Sequence, residues 1–292
     1  MCDNDSLDDM MRYPLRAGEL SRRQFGALTL GAGLVSMLPG TAGAVEVAEA
    51  DVAVKTPDGT ADAYFVHPAK GRHPAILMWP DIYGLRPAFR QMAKRLAESG
   101  YAVLVVNLYY RAKHAPVAPE HASMDDAATR DALMSLAHTL NPDTAVTDAR
   151  AYVAWLDQQP AVDRKRKLGT MGYCMTGPYT LRTAAEFPER IGAGASFHGG
   201  GLVTDKPDSP HLLIPKIKAH YLIAIAANDD QRQPEAKTVL REAFDKAHLQ
   251  AEIEVYAGTL HGWCPLDAKV YNHDQAEKAW SRALALFQST LG

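Results

Sequence analysis

The chain of 292 residues contains little cysteine and carries little net charge. Three cysteines with no Cys-x-x-Cys pair argue against a disulfide-stapled fold and against a dithiol redox centre. The net charge of -3, with no basic run longer than residues 164–167, argues against a nucleic-acid-binding surface. No apolar run reaches the length of about 20 residues that a membrane-spanning helix needs. The composition therefore favours an ordinary globular protein.

The first 44 residues show the features of a twin-arginine export signal in the expected order. Arg22 and Arg23 precede a mildly apolar run at residues 27–38, and residues 42–44 form an Ala-x-Ala cleavage site. An amphipathic helix with an incidental arginine pair is the alternative. We expect the twin-arginine translocase to export the protein, and we expect a mature domain of residues 45–292 in the periplasm or outside the cell.

Apolar runs of strand length alternate with helical patterns along the rest of the chain. The runs at residues 75–79, 101–106 and 221–226 are continuous, which is typical of strands buried on both faces of a sheet. This alternation predicts an α/β fold with a mostly parallel sheet and helices on both faces. On such a sheet the ligand site lies beyond the carboxyl ends of the strands.

Cys174 lies between an apolar run and a helix start made of small residues. In a nucleophile elbow, the pattern Gly-x-nucleophile-x-Gly allows a strand and a helix to pass close together. Gly172 and Cys174 fit this pattern, whereas Thr176 occupies the last small position and Gly177 follows it. The alternative is a buried cysteine that serves only as a small apolar residue.

An acid and a histidine follow later strands in the order of an α/β-hydrolase triad. Asp229 and Asp230 follow the strand at residues 221–226, and His261 follows a predicted strand at residues 251–255. An imidazole can take the proton of a thiol, and a carboxylate can orient that imidazole. As alternatives, either aspartate could cap the following helix and His261 could be a lone loop histidine.

The end of the first buried strand offers a second set of site residues. In an α/β-hydrolase the second oxyanion-hole amide lies at this position. We assign the oxyanion hole to the backbone N–H groups of Ile82 and Met175. Asp81 could reach into the site and influence Cys174, or it could cap a helix.

The combined motifs resemble the dienelactone hydrolase family over roughly residues 46–290. They are Gly-Tyr-Cys-Met-Thr-Gly at 172–177, Pro-Asp-Ile-Tyr-Gly at 80–84, Asn-Leu-Tyr-Tyr-Arg at 107–111 and His-Gly-Trp at 261–263. The resemblance implies an α/β-hydrolase with a Cys-Asp-His triad that opens lactones or small esters without a cofactor or metal.

The resemblance also assigns roles by position. Cys174 matches the nucleophile and His261 the base, and Asp230 matches the acid because a proline follows four residues later. Asp81 stands where the family has a glutamate, and Thr176 stands where it has a glycine.

Two further positions concern recognition of the substrate. Pro265 stands where the dienelactone enzymes have an arginine that holds a substrate carboxylate. Arg111 and Arg130 are candidate replacements.

Several residues flank the predicted strand ends and would line a compact pocket, although each could instead belong to the core. They are Trp79, Tyr83, Tyr109, Tyr110, Arg111, His198 and Trp263. The sequence thus predicts a hydrolase that opens a lactone or small carboxylic ester through a Cys174 acyl-enzyme, an activity of the carboxymethylenebutenolidase type. A thiol redox protein using Cys174 and Cys264, a non-catalytic binding domain and a zinc site remain alternatives.

Overall fold

The computed structural model describes residues 45–291, so the predicted export signal lies outside the described residues. The described strands are β1 (Val47–Thr56), β2 (Gly59–Pro68), β3 (Ala75–Trp79), β4 (Ala102–Val106), β5 (Leu168–Tyr173), β6 (Ile191–Phe197), β7 (His220–Ala226) and β8 (Ala251–Tyr256). The described α-helices are α1 (Pro87–Glu98), α2 (Ala127–Ala137), α3 (Pro142–Leu156), α4 (Gly177–Glu186), α5 (Ala227–Arg232), α6 (Ala236–Lys246) and α7 (His273–Leu291).

The strands form one sheet in the order β1-β2-β4-β3-β5-β6-β7-β8. The β1–β2 and β2–β4 pairs are antiparallel, and every pair from β4 to β8 is parallel. This sheet, with its helices, confirms the predicted α/β-hydrolase fold. The carboxyl ends of parallel strands lie at the same end of a sheet. The segments after β3, β5, β6, β7 and β8 therefore all begin there.

Each face of the sheet is covered by its own apolar cluster. In β3, Leu77 and Trp79 belong to one cluster and Ile76 and Met78 to the other, because successive side chains of a strand point to opposite faces. Helices α3, α4 and α6 contribute to the first cluster, and α1 and α7 contribute to the second. Burial on both faces explains why β3 is a continuous apolar run.

Local signals set the helix boundaries on the way to the site. Asn141 caps α3 by accepting hydrogen bonds from the N–H groups of Asp143 and Thr144, as its position before a proline indicates. Within residues 112–140 the chain forms an α-helix only at α2, because prolines in the first part of this segment lack the N–H group that a helix interior needs. No helix in residues 45–291 is long and apolar enough to cross a membrane.

Candidate active site

Cys174 stands at the turn between β5 and α4. A single 3₁₀ turn (Cys174–Thr176) joins the two elements, and Cys174 has a positive φ of 57°. A non-glycine residue in this conformation costs about 1–2 kcal/mol, so the surrounding structure must hold it there. The side chain is 4% exposed and lies against the first apolar cluster. The local geometry is that of the predicted nucleophile elbow.

Two glycines allow the close approach at this turn. A Cβ atom at Gly172 would lie 2.3 Å from the carbonyl oxygen of Thr176, and one at Gly177 would lie 2.6 Å from Gly199 Cα. The second obligatory small position is therefore Gly177, one residue later than in the usual pattern. Thr176 is tolerated at the intervening position because its side chain points toward the loop after β3, where its hydroxyl contacts the backbone of Trp79 and Pro80.

His261 is held by Asp229. Their Nδ1 and Oδ2 atoms lie 2.7 Å apart, while Asp230 binds Lys237 Nζ at 2.6 Å. The prediction that Asp230 is the acid that orients the histidine is therefore wrong. Residues 227–232 form the helix α5 directly after β7, and neighbouring side chains on a helix diverge by about 100°. Only one of the two aspartates can face His261.

Hydrogen bonds join the segment that follows β7 to the loop that follows β8, next to the Asp229–His261 pair. The backbone N–H of His261 donates to Asn228 Oδ1 at 2.8 Å. The Thr259 hydroxyl accepts from the N–H of Ala227 at 3.1 Å and donates to the Tyr256 carbonyl oxygen at 2.7 Å. These bonds fix the backbone on both sides of His261, so its orientation does not depend on Asp229 alone.

The electrostatic environment of His261 favours the imidazolium. Burial alone would lower the pKa of His261, but the charges of Asp229 and Cys174 and their hydrogen bonds raise it well above its usual value. Nε2 is buried and has no nitrogen or oxygen partner within residues 45–291. The nitrogen opposite Asp229 is thus available to the Cys174 thiol, which is the arrangement that proton transfer from a thiol needs.

His198 packs against the imidazole of His261. The two ring centroids are 5.0 Å apart with planes at 73°, and Trp263 packs edge-on against His198 at 5.3 Å. His198 is 1% exposed, and neither ring nitrogen has a partner in the described part of the chain. Burial, and to a lesser extent the charge of His261, hold the pKa of His198 well below its usual value. His198 is therefore a neutral neighbour of His261.

Asp81 does not face Cys174 as a lone carboxylate. Both of its oxygens accept hydrogen bonds from Arg86, at 2.6 and 3.0 Å, and one also accepts the N–H of Tyr83. Arg86 additionally binds Asp267, in the segment after His261. The predicted direct influence of Asp81 on Cys174 is thus replaced by a structural ion pair. Arg86 had no signal in the sequence beyond its position just before Pro87.

The two segments assigned to the oxyanion hole meet at Tyr109. Its hydroxyl donates to the Ile82 carbonyl oxygen at 2.8 Å and lies 3.8 Å from the sulfur of Met175. Tyr109 is 1% exposed, so it acts from behind these segments rather than as a pocket wall. The roles of the Ile82 and Met175 amides remain predictions.

Of the other predicted pocket residues, Tyr83 and Trp263 are connected to the site. The hydroxyl of Tyr83 accepts the N–H of Met124, and burial followed by the charges of Asp81 and Cys174 raises the pKa of Tyr83 to about 12. Tyr83 therefore contacts the segment before α2 and lies within range of the charge of Cys174. Trp263 is fully buried and packs against His198, which in turn packs against His261.

Trp79, Tyr110 and Arg111 each have a hydrogen-bond partner outside the Cys174, His261 and Asp229 group. The Trp79 indole is part of the core and donates to Thr170. Tyr110 and Arg111 both bind the buried carboxylate of Asp148. The polar groups of Tyr110 and Arg111 are taken up in linking α3 to the β1–β2 turn, which argues against their assignment to the substrate pocket. The assignment of Trp79 stays a prediction.

The two described cysteines lie on opposite faces of the sheet. Cys174 belongs to the first apolar cluster and Cys264 to the second, and neither is in a disulfide. Burial holds the pKa of Cys264 well above its usual value, so its thiol stays protonated. Among residues 45–291, no group of three or more His, Cys, Asp or Glu side chains is arranged to hold a metal ion.

The chain is similar in sequence to known proteins. The model of the dienelactone hydrolase family matches residues 61–291. A Bradyrhizobium protein named probable 2-oxo-3-(5-oxofuran-2-ylidene)propanoate lactonase is 25% identical over 76% of this chain and 86% of its own length. The carboxymethylenebutenolidase of Rhodococcus opacus is 26% identical over 81% of this chain and 90% of its own length.

Solved structures share the fold. A dienelactone hydrolase-like promiscuous phosphotriesterase from metagenomic libraries superposes with a TM-score of 0.68 at 20% identity, covering 84% of this chain and 99% of its own. The family model spans most of the chain and includes the elbow, the acid and the histidine. The chain therefore belongs to the dienelactone hydrolase family.

Proposed function

We propose that the protein hydrolyses a lactone or a small carboxylic ester through an acyl-enzyme on Cys174. The observation that carries this proposal is the convergence of Cys174, His261 and Asp229 at the ends of β5, β8 and β7. The relatives described above, named as a lactonase and a carboxymethylenebutenolidase, support the same class of reaction. No step requires a cofactor.

In the first half-reaction, His261 Nε2 takes the proton of the Cys174 thiol. The thiolate attacks the carbonyl carbon, and the N–H groups of Ile82 and Met175 stabilise the oxyanion. As the C–O bond breaks, the imidazolium gives its proton to the leaving oxygen. With a lactone, this oxygen remains attached to the acyl group, so the thioester carries the whole opened substrate.

In the second half-reaction, water completes the hydrolysis. His261 Nε2 takes a proton from a water molecule while the water oxygen attacks the thioester carbonyl carbon. The C–S bond then breaks, and the Cys174 sulfur recovers a proton from the imidazolium. Asp229 stays ionised in both halves and stabilises the imidazolium through Nδ1.

We further propose that Arg130 rather than Arg111 serves an acidic substrate. Arg111 is paired with Asp148 and Asp58, whereas Arg130 donates to the Met124 carbonyl oxygen. The N–H of the same Met124 donates to the Tyr83 hydroxyl, so Met124 connects Arg130 to Tyr83, the predicted pocket residue. Arg130→Met should raise KM for a carboxylated lactone several-fold and leave KM for a neutral ester unchanged. Equal effects on both substrates would refute this role.

A substrate panel tests the activity itself. Residues 45–292 would be assayed against small lactones, with and without a carboxylate, and against short and long p-nitrophenyl esters. We expect turnover of small lactones or short esters, and we expect Cys174→Ala to abolish it. Cys174→Ala at wild-type rate would refute the nucleophile, and no turnover of any lactone or ester would refute the hydrolase.

The thiol redox alternative has less support. A Cys174–Cys264 disulfide would have to join residues that belong to clusters on opposite faces of the sheet. The protonated state of Cys264 also makes it a poor nucleophile in disulfide exchange. Mass spectrometry of the non-reduced active enzyme would detect such a bridge.

Export remains a separate proposal, since residues 1–44 lie outside the described residues. We propose that the twin-arginine translocase carries the protein to the periplasm and that cleavage follows Ala44. Replacing Arg22 and Arg23 with lysine should leave the full-length protein in the cytoplasmic fraction. Unchanged processing of this variant would refute the proposed signal.

A further inference from the structure

Thr176 connects the nucleophile elbow to the loop after β3. Its side chain is fully buried, and Oγ1 lies 2.9 Å from the carbonyl oxygens of both Trp79 and Pro80. The same oxygen lies 2.8 Å from the Tyr173 carbonyl oxygen and accepts the Tyr173 N–H at 2.9 Å. The hydroxyl has a single proton, which it can donate to one of these carbonyl oxygens at a time. Donation to Trp79 or Pro80, while the oxygen accepts the Tyr173 N–H, joins two segments that are separated by more than 90 residues in the chain.

These two segments carry the two amides that we assign to the oxyanion hole. Met175 is the residue directly before Thr176, and Ile82 follows Pro80 by two residues. An oxyanion hole works only if both N–H groups lie about 3 Å from the developing charge, so their mutual position matters. Tyr109 fixes the loop at the Ile82 carbonyl oxygen, and Thr176 fixes it two residues earlier.

We propose that Thr176 is a positioning residue that sets the geometry of the oxyanion hole through its hydroxyl group. This inference rests on the proposed hydrolase function. A glycine at this position, as the family pattern has, contains no side chain that could make these bonds. In this chain the hydroxyl reaches acceptors on both segments, so the loop after β3 is tied to the elbow by a side chain.

The test compares Thr176→Val, which keeps the shape and removes the hydroxyl, with Thr176→Ser, which keeps the hydroxyl. Thr183→Val is the matched control, because Thr183 is equally buried and its hydroxyl binds only the Tyr179 carbonyl oxygen within α4. A misplacement of about 1 Å at a reacting centre can cost about 100-fold in rate. We expect kcat to fall about 10- to 100-fold in Thr176→Val with KM nearly unchanged. Thr176→Ser and Thr183→Val should stay near wild type.

Alkylation of Cys174 by iodoacetamide supplies a second readout, because this reaction forms no oxyanion. The alkylation rate of Thr176→Val should equal that of the wild type although its ester turnover has dropped. An equal drop in both rates would mean that the hydroxyl acts on the nucleophile, and would overturn the proposal. Wild-type kcat in Thr176→Val would overturn it as well.

A second variant keeps the test valid if Thr176→Val does not fold. If Thr176→Val does not fold, Thr176→Ala also removes the hydroxyl, and full turnover in that variant would refute the proposal. The wild type and Cys174→Ala are assayed in parallel. If the wild type turns over no ester or lactone, the hydrolase function fails and this inference fails with it; if only the Thr176 variants behave unexpectedly, the inference alone fails.

Discussion

Asp229 and Asp230 are neighbours in the chain, but their carboxylates meet different cations. Asp229 binds His261, and Asp230 binds Lys237. We expect Asp229→Asn to lower kcat/KM by about 10³- to 10⁴-fold, because an amide cannot stabilise the imidazolium or select its tautomer. Asp230→Asn removes a partly exposed ion pair and should change kcat/KM less than about 3-fold. Steady-state kinetics on one ester separates the two variants, and the reverse ranking would restore Asp230 as the acid.

His198 should make the fold sensitive to mild acid. Its pKa is lowered by burial in the folded protein, whereas the unfolded chain binds a proton below a pH of about 6.5. Stability from this residue is therefore complete above that pH and is lost as the pH falls through the folded-state value. His261 has the opposite shift, so its contribution to stability grows as the pH falls through about 6.5 and is complete below that pH.

Urea unfolding at two pH values tests this prediction. Between pH 7.5 and pH 5, His198 should cost the wild type about 2 kcal/mol of unfolding free energy. His198→Phe should lack this loss while keeping the aromatic contact with Trp263. Equal pH dependence in the two proteins would show that His198 becomes protonated in the folded state.

At the residue scale, the sequence predicted those members of the site whose position depends on local pattern. Cys174 is marked by the small residues around it, and His261 by its place after a strand. The choice between Asp229 and Asp230 depended on the rotation of α5, and that helix is too short to show a periodic pattern. The pairing of Arg86 with Asp267 depends on a contact across 181 residues, which no local pattern encodes.

At the scale of elements, the crossing of β5, α4 and the end of β6 limits what the elbow tolerates. Gly177→Ala would bring a Cβ atom to 2.5 Å from Ser196 Oγ and 2.6 Å from Gly199 Cα. Because backbone must move, we expect a loss of about 2–3 kcal/mol in unfolding free energy, with loss of activity.

Gly169→Ala, in β5 on the side of the sheet that packs against α7, is the control. Its new Cβ atom would meet only the side-chain ends of Leu291, Phe287 and Ile76, at 3.0–3.3 Å. Side chains can adjust by this amount, so the free energy of unfolding should stay within about 1 kcal/mol of wild type. Comparable losses in both variants, measured by urea unfolding, would argue against a special constraint at Gly177.

The elements themselves were predicted where their burial is uniform. The continuous apolar run predicted at residues 75–79 has the same bounds as β3. The region before α3 was less predictable, because turns there are set by contacts such as that of Met124 with Tyr83. Short elements of this kind owe their conformation to tertiary contacts rather than to their own sequence.

At the scale of the whole molecule, Arg86 joins the first buried strand to the last loop of the site. It bridges the carboxylates of Asp81 and Asp267, which are 8% and 45% exposed. Arg86→Met would leave Asp81 charged, buried and unpaired, so we expect a loss of about 3 kcal/mol in unfolding free energy. Asp267→Asn removes only the exposed pair and should cost less than about 1 kcal/mol. Similar stability of the two variants in urea unfolding would contradict this view of Asp81.

The start of α4 three residues after Cys174 has a consequence for the range of substrates. The aligned peptide dipoles of a helix place about half a positive charge at its N-terminus, and the first turn of α4 contains no acidic residue to neutralise it. Negative charge on the Cys174 sulfur, or on the oxygen of an attacked carbonyl group, therefore forms at a positive helix end. This stabilisation comes from the backbone and acts on the charge, whatever acyl group carries it. The helix thus favours reaction of any carbonyl that reaches Cys174, and discrimination between substrates is left to the side chains of the surrounding loops.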